Sequence, residues 1–166
     1  MFKEYSAKDY DFNAFKLIGD EWMLVTAEKD EKVNSMTASW GGVGILWGKP
    51  VAFVFVRPQR YTKEFIDNAD GFSLSVLPDG NKDKLTYFGK ISGRDEDKIA
   101  KTGFTVLHSD KVPYFEDAEK VFILKKLYEQ KLDPDCFIDK ELLKNYPRND
   151  FHHVYVAEIE KILVKE

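Results

Sequence analysis

Residues 50–56, PVAFVFV, constrain the fold most: they are an unbroken β-branched and aromatic run of strand length, expected to lie buried on both faces. Pro50 can open such a strand but cannot interrupt it, because it has no N–H for the ladder. Other segments repeat the pattern. WMLVTAE, residues 22–28, is rich in β-formers, and the EKDEK that follows predicts a polar hairpin turn into a second strand, VNSMTASW. FSLSVLP at 72–78 alternates Phe72, Leu74 and Val76 against Ser73 and Ser75, and KVFILKKLYEQ and FHHVYVAEIEKILV return to β character late in the chain.

Helices are few and short. One is predicted from Thr62, with the Thr62 hydroxyl as its cap, Tyr61 and Ile66 at hydrophobic-staple positions, Phe65, Ile66 and Ala69 as its apolar side, and Gly71 as its stop. NKDKLTYFGK and GRDEDKIAKTG predict two more, the second ending at Gly103. Many strands with small inserted helices predict a β-rich α+β domain, either a barrel or a mixed sheet. With 166 residues and no Pro/Gly/Ser-rich linker, residues 1–166 are expected to be one domain.

The charge balance narrows the partners. Lys and Arg number 25 against 29 Asp and Glu, a net charge of −4, so the long-range field repels phosphate backbones and anionic membranes. Neither nucleic acid nor a membrane is an expected partner. No run reaches the roughly 18 apolar residues of a spanning helix, and the N-terminal MFKEYSAKDYDFN has no apolar core of signal-peptide length. Cys136 is the single cysteine, which excludes an intrachain disulfide and a cysteine-rich metal site. The three histidines do not make a multi-histidine site, so no metal is expected, and the expected location is cytoplasmic.

Candidate site residues fall in three stretches. In NSMTASW, residues 34–40, a period of two puts Met36, Ala38 and Trp40 on one face and Ser35, Thr37 and Ser39 on the other. This hydroxyl row reads either as a solvent-facing strand or as donors and acceptors along a ligand; Gly41 and Gly42 favour close approach by a ligand or another backbone. RPQRYT, residues 57–62, lies where an apolar strand meets a helix N-terminus, whose free N–H groups and positive dipole end suit an anion. Arg57, Arg60 and Thr62 could surround one phosphate; a solvated basic turn with an ordinary cap is the plain alternative. Neither a P-loop nor a G-x-G-x-x-G is present, which disfavours a nucleotide held in either of those modes. His152 and His153 begin the last strand and must point to opposite faces, so at most one can share a given pocket. A near-neutral pKa would suit that residue to protonation or cofactor contact, with a hydrogen-bonded structural role as the alternative. Asp95 and Asp97 read as solvated helix charges, and Cys136, among acidic neighbours, does not read as a nucleophile.

Taken in order, NSMTASWGGVGILWGKP, VRPQRYTKEFI, YFGKISGRDEDKIAKTG and HHVYVAEI resemble the flavin reductase-like family of FMN-binding split β-barrels, from about residue 15 to residue 164. The resemblance implies a split barrel of antiparallel strands with short helices, usually a homodimer with the flavin at or near the subunit interface. It implies that Asn34, Met36, Thr37, Ala38, Ser39 and Trp40 line the isoalloxazine and ribityl chain, with Ser35, Thr37 and Ser39 as the hydrogen-bonding face. Arg57, Gln59, Arg60, Tyr61 and Thr62 would hold the phosphate, and Phe88, Gly89, Lys90 and Ser92 would close over the flavin edge. His152 matches the histidine of the family's H-x-x-[YF]-[VI]-G-E-[IV] signature, which in members that use a pyridine nucleotide can lie near the nicotinamide; Ala157 stands where the signature has glycine. The implied function is that of an FMN-binding, NAD(P)H-dependent flavin reductase-like oxidoreductase. It would pass electrons from a reduced nicotinamide or protein donor through flavin to a small acceptor. The rival is a non-enzymatic FMN-binding electron carrier or sensor.

Overall fold

The computed structural model describes all 166 residues. One antiparallel sheet contains β1 (Phe2–Tyr5), β2 (Met23–Lys29), β3 (Lys32–Ala38), β4 (Gly41–Leu46), β5 (Lys49–Val56), β6 (Gly71–Val76), β9 (Lys120–Lys131) and β10 (His153–Lys165). Its order is β3-β2-β6-β9-β10-β5-β4, with β1 added beside the second half of β10. β7 (Val106–Ser109) and β8 (Val112–Phe115) form a separate hairpin. β3 and β4 are the two ends of the sheet order, yet only Ser39 and Trp40 separate them along the chain. A sheet whose end strands are joined by so short a link has to curl on itself. Because β3 and β4 do not pair, the resulting barrel stays split at that seam.

Strand alternation divides the apolar side chains between two cores. Val25, Phe72, Leu74, Phe122, Leu124 and Tyr155 fill the barrel together with Phe65 and Ile66 of α2 (Tyr61–Asn68). Leu24, Val121 and Ile123, on the opposite faces of the same strands, pack with Leu85 and Phe88 of α3 (Lys82–Lys90) and with Tyr114 and Phe115 of β8. Polar alternation therefore does not mark solvent here: Ser73 and Ser75 on β6 are fully buried, and Ser73 donates to the Pro113 carbonyl at 2.6 Å. Burying Phe65 and Ile66 stabilises the fold by about 1.5–3 kcal/mol each, which fixes α2 and so the position of its N-terminus.

Several local expectations change. α2 begins at Tyr61 and ends at Asn68, with Arg60 as its N-cap, so Thr62 lies inside the first turn and caps nothing. Gly71 opens β6, where a Cβ would sit 2.5 Å from the Leu124 carbonyl oxygen across the ladder. β5 is buried at Val51, Ala52, Val54 and Val56, but Phe53 and Phe55 are half-buried, so one face is partly open. β4 was not foreseen. Gly41 has φ +154° and a Cβ there would lie 2.7 Å from the Phe53 carbonyl oxygen; of the two close approaches expected, the structure shows that of another backbone, β5. α4 (Lys98–Thr102) ends as expected at Gly103, whose left-handed φ of +70° lets its N–H reach the Ile99 and Ala100 carbonyls. A short helix, α1 (Ala14–Lys16), runs on into a π-helical turn over Leu17–Glu21. No helix is long and apolar enough to cross a membrane.

Candidate functional site

β3 has a strand neighbour on one side only, β2, so alternate N–H and C=O groups along it face away from the sheet. A cleft of about 230 Å³ beside it is lined by Met36, Thr37, Ala38, Ser39, Trp40, Phe55, Arg57, Arg60 and His152. A second recess of about 190 Å³ shares Met36 and Arg60 with the first and adds Asn34, Gln59, Tyr61, Thr62, Gly89, Lys90, Ser92 and Lys98. Together the two reach the lower part of the roughly 300–1,000 Å³ range of small-molecule sites. Nearly all the residues singled out in the sequence are thus brought to one place.

Two are not, and the hydroxyl row has a different role. Ser35 is fully buried, shares a 2.9 Å hydrogen bond with the Thr26 hydroxyl and donates to the Val25 carbonyl. Thr37 donates to the Leu85 carbonyl of α3 at 2.5 Å, and Gly89 packs against it. The Ser35 and Thr37 hydroxyls tie β3 to its neighbours, while Asn34, Met36 and Ala38 of the other register line the recesses together with Thr37 and with Ser39, whose hydroxyl has no partner in the protein. The Phe88 ring lies in the second core against Phe104 and Phe115, at centroid distances of 5.8 and 6.1 Å. Its carbonyl alone serves the recess.

That carbonyl accepts from two cations. Arg60 Nη2 lies 3.3 Å away and Lys98 Nζ 3.1 Å. Lys98 is 4% exposed. Burial, reinforced by the Arg60 charge, pushes its pKa down to about 8, and burial also lowers that of Arg60. Neither has a carboxylate partner, unlike nearby Arg94, which pairs with Glu64 at 2.6 Å. A buried cation without counter-charge is costly, and Lys98 beside half-buried Arg60 makes the recess chemically suited to an anion. Three further donors meet there. The amides of Tyr61 and Thr62, at the start of α2, have no intrahelical acceptor. The Thr62 oxygen accepts from Asn34 Nδ2 at 2.8 Å, which leaves its own hydroxyl proton free. Gly93 closes the wall: a Cβ there would meet Asn34 Oδ1 at 2.0 Å. Lys98 escaped the sequence reading because GRDEDKIAKT looks like a solvated charged helix; its only signal was a lysine immediately after the α4 N-cap, Asp97.

Arg57 and Gln59 are engaged elsewhere. Arg57 donates to Asp150 at 2.8 Å and to the Asn145 carbonyl at 3.0 Å, and its guanidinium lies 4.9 Å over the Tyr146 ring. Gln59 donates to the same Asp150 oxygen at 2.8 Å, and the hydrogen bonds from Gln59 and Arg57 hold that carboxyl below the usual carboxylate range. Arg57 therefore anchors the strap 133–151 to the cleft and is not free for a phosphate. His152 is 7% exposed, with the Trp40 ring 5.4 Å away and Nδ1 2.7 Å from the Tyr146 hydroxyl. Burial, then the Arg57 charge, push its pKa down to about 4, so it is a neutral imidazole at pH 7 and not the near-neutral titrating group expected. His153 turns the other way, onto Glu129 at 2.5 Å.

Residues 16–165 match the flavin reductase like domain. The chain belongs to the flavin reductase-like family. The fold of this flavin reductase-like chain is similar to that of the FMN-binding protein from Thermus thermophilus, with 23% identity, 98% of this chain and 81% of that one covered, and a TM-score of 0.70. It is similar also to flavoredoxin of Desulfovibrio vulgaris (Miyazaki F), at 24% identity, 87% and 69% coverage and a TM-score of 0.69. Flavoredoxin from Methanosarcina acetivorans follows at 22% identity, 88% and 69% coverage and 0.68. No curated protein matches the sequence. The expectation of an antiparallel split barrel with short helices holds for this flavin reductase-like protein.

Proposed function

We propose that the protein binds FMN, with the phosphate in the Arg60–Lys98 recess and the ring system along the free edge of β3. It acts as an oxidoreductase that takes electrons from NAD(P)H or a reduced protein and delivers them to a small acceptor. The observation that carries this reading is buried Lys98 next to half-buried Arg60, neither with a carboxylate, beside an unpaired strand edge and an open helix N-terminus. When bound, FMN supplies hydride acceptance and electron release.

The chain's own part is to bind and to tune. Lys98, Arg60, the Thr62 hydroxyl and the first amides of α2 hold the dianionic phosphate by charge-assisted hydrogen bonds. Outward N–H groups of β3 would be available to donate to the polar edge of the ring, where such donors would stabilise negative charge. Met36, Trp40 and Phe55 supply apolar walls, and His152 completes the cleft as a neutral group. No acid or base from the chain is required. A homodimer fits this reading: the edge strand β4 and its turn expose Ile45 (63%) and Trp47 (59%), with Tyr128 beside Trp47. The single exposed, unpaired cysteine suits the reducing cytoplasm.

The test is anaerobic mixing of the protein and FMN with NADH or NADPH, following the visible flavin band. Rapid bleaching is expected. A yellow protein that neither nicotinamide reduces would instead assign it to the non-enzymatic carriers, and absence of flavin binding would remove both readings.

A further inference from the structure

The Tyr146 hydroxyl has one protein partner, His152 Nδ1 at 2.7 Å. Tyr146 itself is held tightly. Its ring stacks 4.7 Å from Phe151 and lies under the Arg57 guanidinium, which also grips the Asn145 carbonyl and Asp150 on either side of it in the chain. Arg57 belongs to the same RPQRYT loop that carries Arg60 and Thr62 into the anion recess, so one loop shapes the recess and fixes the strap.

We propose that Tyr146 is a positioning residue that fixes His152 in the Nε2–H tautomer, so that His152 presents a neutral N–H donor to the ligand in the cleft. Two observations set the direction of the hydrogen bond. The phenol proton has no other protein acceptor, and the reverse arrangement, Nδ1–H donating to the phenol oxygen, would leave that proton unpaired in a buried place. The guanidinium over the ring also withdraws electron density, which makes the hydroxyl a better donor and its oxygen a poorer acceptor. Nδ1 therefore accepts, and the single imidazole proton sits on Nε2. The ring does not escape by taking a second proton, because burial and the Arg57 charge keep it neutral. Nε2 has no partner within the protein, and His152 lines the cleft beside Trp40 and Phe55.

The consequence for the ligand rests on the flavin reading above. An Nε2–H donor favours a bound oxygen or nitrogen that gains negative charge, whether on the reduced ring edge or on an acceptor beside it. The opposite tautomer would present a lone pair there and repel the same charge. The hydrogen bond from Tyr146 to His152 Nδ1 thus decides whether the cleft favours or opposes electron arrival.

The tautomer is read directly by long-range ¹H–¹⁵N correlation on histidine-labelled, flavin-free protein at pH 7, with His152→Gln identifying the signals. The expected result is an imine-like Nδ1 and a protonated Nε2. Tyr146→Phe keeps the ring packing and the Arg57 contact but lacks the hydroxyl, and is expected to give a mixture of tautomers. A proton on Nδ1 of the wild-type protein, or an unchanged Nε2–H tautomer in Tyr146→Phe, overturns the proposal. With FMN bound, Tyr146→Phe is expected to slow reduction by nicotinamide about tenfold with little change in FMN affinity; an unchanged rate overturns the ligand-facing role. Failure of the wild-type protein to bind FMN would strike the proposed function alone, since the tautomer is measured without flavin.

Discussion

Lys98→Met removes an ammonium whose only hydrogen bond is to the Phe88 carbonyl and puts an apolar side chain of similar length in its place. The pKa of Lys98, pushed down from 10.5 to about 8, corresponds to a penalty of about 3 kcal/mol on the buried charge. Because the folded pKa is the lower, the unfolded chain holds more protons between pH 8 and 10.5, so the penalty is full below pH 8 and fades as pH rises through that window. Losing the hydrogen bond returns about 1 kcal/mol. Lys98→Met is therefore expected to stabilise the flavin-free protein by about 1–2 kcal/mol at pH 7, with the advantage shrinking toward pH 10. Binding moves the other way. One charge-assisted hydrogen bond is worth about 1.5–3 kcal/mol, so FMN should bind roughly 10- to 100-fold more weakly, while riboflavin, which lacks the phosphate, should bind unchanged. In the wild-type protein a bound phosphate dianion raises the Lys98 pKa, so FMN affinity should fall as pH rises above 8, by up to about tenfold per unit. Urea denaturation at pH 7 and pH 10 and quenching of flavin fluorescence measure the two effects. A variant destabilised at pH 7, or one that loses FMN and riboflavin equally, would refute the reasoning.

Other changes probe the neighbouring contacts. Gly93→Ala drives a methyl into Asn34 Oδ1 and strains the Asn34–Thr62 hydrogen bond; calorimetry should show about 1–3 kcal/mol lost and titration a weaker FMN complex. Arg57→Ala releases Asp150 and Asn145, so hydrogen exchange should rise across residues 133–151, and any loss of affinity should be the same for FMN and riboflavin. Because His152 titrates near 4, flavin reduction should show no inflection between pH 5 and 8 attributable to it, whereas a step near 6.5 that vanishes in His152→Ala would contradict its burial. If the proposed homodimer forms through β4, light scattering should give a dimeric mass for the wild-type protein and a monomeric one for Ile45→Glu with Trp47→Glu; an unchanged mass would contradict that interface.

Much of this was legible in the chain. The β2–β3 hairpin follows from its alternation and polar turn, α3 and α4 from their flanking signals, and the convergence of residues 34–40 with the RPQRYT loop from the order of the motifs. What escaped depends on which surface covers each face. Alternation correctly paired Ser35 with Thr37, but β3 is packed on both faces, so these two hydroxyls bond to β2 and α3, and of the row only Ser39 faces the cleft with its hydroxyl free, beside Met36 and Ala38 of the opposite register. β4 was hidden because GGVGIL has no β-branched run and owes its pairing to glycine. Arg57 and Arg60 look equivalent three residues apart, and only the strap contacts to Asn145 and Asp150, 88 and 93 residues beyond Arg57, separate their roles. Lys98 reads as one charge in a charged segment until its burial against Phe88 is seen.

FMN and riboflavin titrated in parallel into the flavin-free protein at pH 7, followed by quenching of flavin fluorescence, test the account most directly. FMN is expected to saturate the protein at micromolar concentration or below, and riboflavin to bind at least about 100-fold more weakly, because it forgoes the contacts to Arg60 and Lys98 at about 1.5–3 kcal/mol each. Equal affinities would place the phosphate outside this recess, and no binding of either flavin at micromolar concentration would contradict the proposed function itself.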